Sequence, residues 1–303
     1  MKPQKNKQKI MFCLGLCLIL MLAACEVGER QPSEGSLSQQ DEYLQETSDL
    51  TVKGEETGRL AALDGGSEAE VREPVLVSNQ VLQQEYPNTL VLRGSVDDQR
   101  VALTFDDGPD TRFTPQVLDV LDEYDVKATF FLMGSRAKEH REVTRRIHDE
   151  GHAIGNHTYW HPHLVEESIA RMRWEVNETE KVLEEIVGFR PRLFRAPYGA
   201  LNRELVEALG ETDYTVVGWN VDSVDWKEPG VDEIVNNVLS NTDYGSIILM
   251  HSGGHWTMDL SGTVESLHVI IPRLQKEGIE FVTVPELLNL QEWKSPVKKA
   301  QGQ

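Results

Sequence analysis

Cysteine is almost missing from this chain. Three occur in 303 residues, Cys13, Cys17 and Cys25, and none follows. From Glu26 onward there is no thiol for a disulfide, a thiolate metal site or a cysteine nucleophile, so the domain must hold together by its core alone. Basic residues are also short, with 30 Lys and Arg against 50 Asp and Glu, a formal charge of −20. That balance excludes ordinary nucleic-acid binding, which works through phosphate neutralisation, and it repels anionic membranes and teichoic-acid-type polymers. Membrane-length apolar runs and internal repeats are absent too. The run from Ile10 to Ala24 is too short for a span and is led by Lys2, Lys5, Lys7 and Lys9. It reads as a secretory signal.

That signal ends Leu22-Ala23-Ala24-Cys25, which resembles the lipobox of bacterial lipoproteins. The resemblance implies cleavage after residue 24, a lipid on Cys25 and an extracytoplasmic, membrane-anchored protein; a plain secreted protein is the alternative. Removing residues 1–24 takes away four lysines and no acid, so the charge becomes −24. Residues 26–73 hold 13 acids and 4 bases with Ser, Gly and Gln and hardly an aromatic. Such a composition cannot bury enough apolar surface to fold, and 25–73 reads as a disordered acidic tether. Its r.m.s. span would be roughly 40 Å, enough to reach polymer beyond a membrane surface.

Residues 74–99 read as a lead-in with little pattern. From 100 to 291 short apolar runs alternate with amphipathic segments, and 292–303 read as a flexible tail. Strands are expected at 101–105, 127–132, 152–156, 192–195, 214–219, 246–250 and 279–284. Thr114-Pro115 opens a helix with a cap residue and Pro at the first helical position. A longer helix is expected over 166–187, with Ile169, Met172, Val176, Leu183 and Ile186 inward and Gly188 as its stop. Alternating strands and helices imply a parallel sheet covered by helices, and seven such units favour a closed or nearly closed α/β barrel.

The polar residues fall at one end of that barrel. Asp106 and Asp107 follow the first strand, and His157 follows the third. Arg195 ends the fourth, Asp222 and Asp225 follow the fifth, and His251 ends the sixth. Asp-Gly-Pro alone reads as a turn and His-x-x-x-His alone as two incidental histidines. Five clusters at the carboxyl ends of different strands read as a barrel-enzyme site. One carboxylate and two imidazoles suit zinc or another first-row divalent ion, with the second carboxylate left as a base. His157 and His161 would be one turn apart if that stretch were helical, although Pro162 limits any helix there.

Five segments in this order resemble the polysaccharide deacetylases, carbohydrate esterases with the chitooligosaccharide-deacetylase homology domain. They are Thr104–Pro109, His157–His161, Arg195–Tyr198, Asp222–Trp226 and Leu249–His251. The resemblance implies a distorted seven-stranded β/α barrel and metal-dependent removal of acetyl groups from N-acetylated sugars. It places Asp107, His157 and His161 on the metal, which would be zinc, with cobalt, manganese or nickel as alternatives. Asp106 would be the general base and His251 the acid that protonates the departing amine. Arg195 would orient Asp106, and Asp225 would hold the His251 ring and favour its charged form. Pro197 and Tyr198 would supply the oxyanion side through the Tyr198 backbone N–H, and Trp226 and Leu249 an apolar wall for the acetyl methyl.

Ser252-Gly253-Gly254-His255-Trp256 departs from the family's usual small, polar loop after the acid histidine. Asp at 107, where a muramic-acid-directed branch often has Asn, is more like the N-acetylglucosamine-directed branch. The expected partner is therefore a glycan of peptidoglycan or chitin-like type, met by a monomer. An O-acetyl esterase on xylan-like polymer and an inactive sugar-binding surface lipoprotein are the competing readings.

Overall fold

Residues 63, 64, 66–68 and 78–294 are described by the structure, a computed structural model. The expected signal, Cys25 and most of the acidic stretch lie outside those residues, as do 295–303.

Short runs of apolar residues become strands because they can be buried on both faces. In chain order they are β1 (Leu90–Val91), β2 (Arg100–Gly108), β3 (Thr129–Leu132), β4 (Ala153–Asn156) and β5 (Leu193–Phe194). Then come β6 (Thr215–Val217), β7 (Val221–Asp222), β8 (Ile247–His251) and β9 (Glu280–Phe281). Between and around them lie α1 (Asn79–Glu85), α2 (Thr114–Glu123), α3 (Gly134–Glu139), α4 (Arg141–Asp149) and α5 (Ile169–Val187). The remaining helices are α6 (Arg203–Gly210), α7 (Val231–Asn241), α8 (Ser261–Lys276) and α9 (Val284–Leu288). Every pairing among these strands is parallel, in the order β1-β6-β5-β4-β3-β2-β8-β7, with β9 also on β2.

The sheet has to curl. β6 and β7 lie toward opposite ends of that order, yet residues 218–220 alone connect them. Such a link reaches roughly 13 Å at full extension, so the two ends come close together. The result is the expected α/β barrel, left unpaired between β1 and β7.

Alternation along the strands divides the core. Val101, Leu103 and Phe105 join the helix-facing cluster with Leu118, Leu121, Leu267 and Ile271. Ala102 faces inward with Phe131, Leu193, Val217 and Ile247. Thr104 and Asp106 share the inward face of Ala102, so the barrel interior becomes polar as β2 approaches its carboxyl end. α5 is held at both ends as its sequence indicates: the Ser168 side chain accepts from the Arg171 N–H, and Gly188 takes a left-handed conformation at φ 84°.

Several boundaries differ from expectation. The lead-in contributes β1, paired with β6, so it is part of the sheet. The strand expected at 214–219 is β6, and a further short strand, β7, follows it after the chain crosses the barrel opening. Thr114 does not cap its helix; its hydroxyl accepts from the Asp110 N–H and donates to the Ser252 carbonyl, tying the β2 exit to the loop after β8. Residues 292–294 are not a loose tail: Trp293 bridges to Pro191 and stacks on Phe189, and the Lys294 N–H donates to the Arg190 carbonyl. Within the stretch read as a disordered tether, Leu63 and Glu68 are buried against the domain.

Candidate active site

β2 delivers the two carboxylates to different tasks. Asp106 is still in regular strand, paired in register with His251 on β8. Asp107 turns away, with φ 64°. Its backbone is fixed by Arg136, fully buried, whose guanidinium donates to the Asp107 carbonyl at 2.8 Å and to the Gly254 carbonyl at 2.6 Å. The close approach requires glycine at 253, where a Cβ would stand 2.3 Å from the Asp107 carbonyl oxygen.

Asp107 Oδ1 lies 3.2 Å from His157 Nε2 and 3.1 Å from His161 Nε2, all three side chains being buried. The two histidines do not share a helical turn. The segment is a loop with left-handed Thr158 and His161 at φ 64° and 61°, and it still brings the rings to 4.9 Å between centroids. The loop is braced from α5: the buried Glu175 carboxylate accepts the Tyr159 N–H at 2.7 Å and the Trp160 N–H at 2.8 Å.

His157 Nδ1–H donates to the Arg195 carbonyl at 2.8 Å, which leaves Nε2 as its free lone pair. Asp107 Oδ1 and both ring nitrogens of His161 are buried without hydrogen-bond partners. Buried polar atoms in folded proteins are normally satisfied. Two ligands sharing a tetrahedral ion stand roughly 3.3 Å apart, so these spacings are those of a metal donor set. The residues fit a divalent cation. Burial alone would raise the Asp107 pKa, but the His161 and His157 imidazoles hold it well below the usual carboxylate range.

Asp106 is set by Arg195. The guanidinium, 1% exposed, donates from Nη1 to Asp106 Oδ1 and to Thr104 Oγ1, both at 2.8 Å. It also donates to the Val217 and Gly218 carbonyls and lies over the Phe131 ring. Such a grip leaves the carboxylate one orientation, with Oδ2 at 3.9 Å from His157 Nε2. Across the β2–β8 pair, His251 Nδ1–H donates to Asp225 Oδ1 at 2.7 Å. Asp225 Oδ2 accepts the His251 backbone N–H and the Thr263 hydroxyl, each at 2.8 Å. Burial lowers the His251 pKa, but Asp225 beside it, with Asp107 and Glu68 farther off, more than reverses this and raises it to about 10. The ring is therefore cationic at neutral pH.

Pro197 and Tyr198 lie in the short helical turn Pro197–Gly199, with Tyr198 left-handed at φ 59°. The Tyr198 N–H donates to Glu68 Oε1 at 3.2 Å. Leu249 pairs in register with Thr104 and is buried in the strand. Trp226 packs with Phe113, Met258 and Leu260, its indole N–H donating to Asp222 at 3.3 Å. Asp222 also accepts the Val224 N–H, so it caps the turn that carries Asp225. Sequence reading missed Arg136, Glu175, Thr263 and Glu68. Of these only Glu175 carries a visible signal, an acid on the apolar stripe of α5 beside Met172 and Val176.

The polysaccharide deacetylase family model matches residues 93–217, which contain every residue of the metal-type cluster, Asp106, Arg195 and Tyr198. A peptidoglycan-N-acetylglucosamine deacetylase of Bacillus cereus is 45% identical over 196 residues, 64% of this chain and 70% of that protein. A chitooligosaccharide deacetylase of Azorhizobium caulinodans is 36% identical over 196 residues, 61% of this chain and 92% of that protein. Among solved structures, the Bc1960 peptidoglycan N-acetylglucosamine deacetylase, in complex with an N-hydroxybenzamide, superposes with a TM-score of 0.67 at 40% identity. That match covers 70% of this chain and 99% of the other. Sequence shared with the first of these relatives over 196 residues at 45% identity, joined to a donor set and an acid pair at the barrel's carboxyl end, makes this chain a member of the polysaccharide deacetylase family.

Proposed function

We propose that the chain is a metal-dependent N-deacetylase acting on N-acetylglucosamine units of peptidoglycan or chitin-like oligosaccharide, held outside the cytoplasm by a lipid on Cys25. The observation that carries this reading is the buried convergence of Asp107, His157 and His161 next to Asp106. Two of its named relatives act on such glycans, one a peptidoglycan-N-acetylglucosamine and one a chitooligosaccharide deacetylase. Asp107, His157 and His161 hold the ion, with zinc first among the candidates. When bound, a divalent ion supplies Lewis acidity and makes water more acidic.

The other residues divide the proton transfers. Asp106, aimed by Arg195, takes the proton of water as its oxygen attacks the acetyl carbon. The Tyr198 N–H faces the oxygen on which negative charge develops. His251, cationic because of Asp225, gives its proton to the sugar nitrogen as the carbon–nitrogen bond breaks. The balance is one amide and one water in, one free amine and one acetate out. Leu249 and Trp226 form the apolar wall for the methyl group.

Acetate release should be measured from peptidoglycan, chitooligosaccharide and acetylated xylan, with and without a chelator. Chelator-sensitive release from the first two supports the proposal. Release from xylan alone would make the protein an O-acetyl esterase, and none from any substrate in metal-replete protein would overturn the catalytic reading.

A further inference from the structure

One residue of the acidic stretch, Glu68, enters the site. Glu68 is 4% exposed, and its Oε1 both accepts the Tyr198 N–H at 3.2 Å and stands 4.0 Å from His161 Nε2. The described residues just ahead of Glu68 are held to the same part of the domain. The Asp64 N–H donates to the Trp160 carbonyl at 2.7 Å, one residue before His161. Arg171 on α5 donates to Asp64 Oδ2 at 3.1 Å, and the Tyr198 hydroxyl donates to the Gly66 carbonyl at 2.8 Å. Leu63 is buried at the upstream end. This is a seated segment, with backbone, side-chain and apolar contacts.

Its place has a chemical meaning once the reaction above is accepted, and the inference rests on that reading. The Tyr198 N–H is the donor that faces the acetyl oxygen, and one N–H cannot serve Glu68 and substrate together. A glutamate terminus is a methylene-linked carboxylate, which is the structure of acetate, the product. We propose that Glu68 is a further residue of the substrate site: an intramolecular copy of the acetate group that occupies the acetyl subsite and must leave before substrate is processed. Its burial is tolerable because a buried carboxylate needs charged and hydrogen-bonding partners, and the subsite supplies both. Being tethered, it competes at an effective concentration in the millimolar range, so a weak contact is enough to hold back small ligands.

The test uses the full chain loaded with zinc, as wild type, Glu68→Ala and Asp64→Asn. Zinc content and the Kd for acetate, by calorimetry, are read alongside acetate release from a chitooligosaccharide. Glu68→Ala should bind acetate about tenfold more tightly with zinc stoichiometry unchanged, as expected for removing a competitor at millimolar effective concentration. Asp64→Asn, which only loosens the segment, should shift acetate binding in the same direction by less. Where turnover is seen, kcat/KM should rise with acetate affinity. Equal acetate Kd values in all three proteins would overturn the proposal. Loss of zinc from Glu68→Ala would also overturn it, making Glu68 a ligand and not a displaceable occupant. Tighter acetate binding without deacetylation of any glycan would support this role for Glu68 and sink the deacetylase reading instead.

Discussion

Asp225 and Asp107 are both buried carboxylates beside a histidine at a strand end, and they are finished to different degrees. Asp225 accepts from the His251 ring, the His251 backbone and Thr263, so both oxygens are used within the protein. Asp107 Oδ1 accepts no hydrogen bond although two imidazole nitrogens stand within 3.2 Å. The first arrangement fixes a ring and its proton. The second presents lone pairs toward a common point, which is useful only to a cation. Two acid–histidine pairs in one site are thus told apart by whether their hydrogen bonds close.

Replacing the unfinished side should have the largest effect. Asp107→Asn or His161→Ala should abolish zinc retention through dialysis and leave turnover at background, because three protein ligands are the minimum for such a site. Metal analysis by plasma emission checks it, and retained zinc would dissolve the contrast just drawn. Asp106→Asn comes next. It should keep zinc while kcat falls by roughly 10²–10⁴, the range for loss of a general base.

On the finished side, Asp225→Asn should leave zinc in place and lower kcat by about 10² or more, as His251 loses what keeps it charged. Its folded pKa is raised to about 10, above the ordinary 6.5. The pair therefore stabilises the fold fully below pH 6.5, and that contribution is lost as pH rises through about 10. In Asp225→Asn the basic limb of the kcat profile should move to lower pH, and an unmoved limb would separate His251 from it.

The smallest effect lies outside the site. His152 is buried beside Lys127 and Arg146, and burial first, then those charges, lower its pKa to about 4. Its ring accepts the Ala128 N–H, as a neutral imidazole can. Here the unfolded chain takes up the proton first as pH falls below 6.5, so stability present above pH 6.5 is lost down through about 4. That slope amounts to roughly 3 kcal/mol. Urea unfolding of His152→Gln at pH 7 and pH 4 should show a smaller pH difference than wild type.

The parts of this site legible in the sequence are those where residue type and strand end coincide. Asp106, Asp107, Arg195, Asp225 and His251 announce themselves because an ionisable group ending an apolar run has few reasons to be there. His157 and His161 were legible as a pair but not in conformation, since left-handed Thr158 and His161 depend on Glu175 holding two loop N–H groups from a helix 15 residues on. Arg136 gave no signal, as it acts on backbone carbonyls that no side-chain pattern reveals. The same holds for Glu68: the composition of its stretch argues for solvation, and one contact that seats it is a backbone group, the N–H of Tyr198.

The most direct test of two adjacent carboxylates with separate tasks is to measure zinc content and acetate release side by side in Asp106→Asn and Asp107→Asn. Asp106→Asn should be zinc-loaded and nearly inactive, and Asp107→Asn zinc-free. Zinc lost from Asp106→Asn and kept by Asp107→Asn would contradict this division, exchanging the tasks of the two residues.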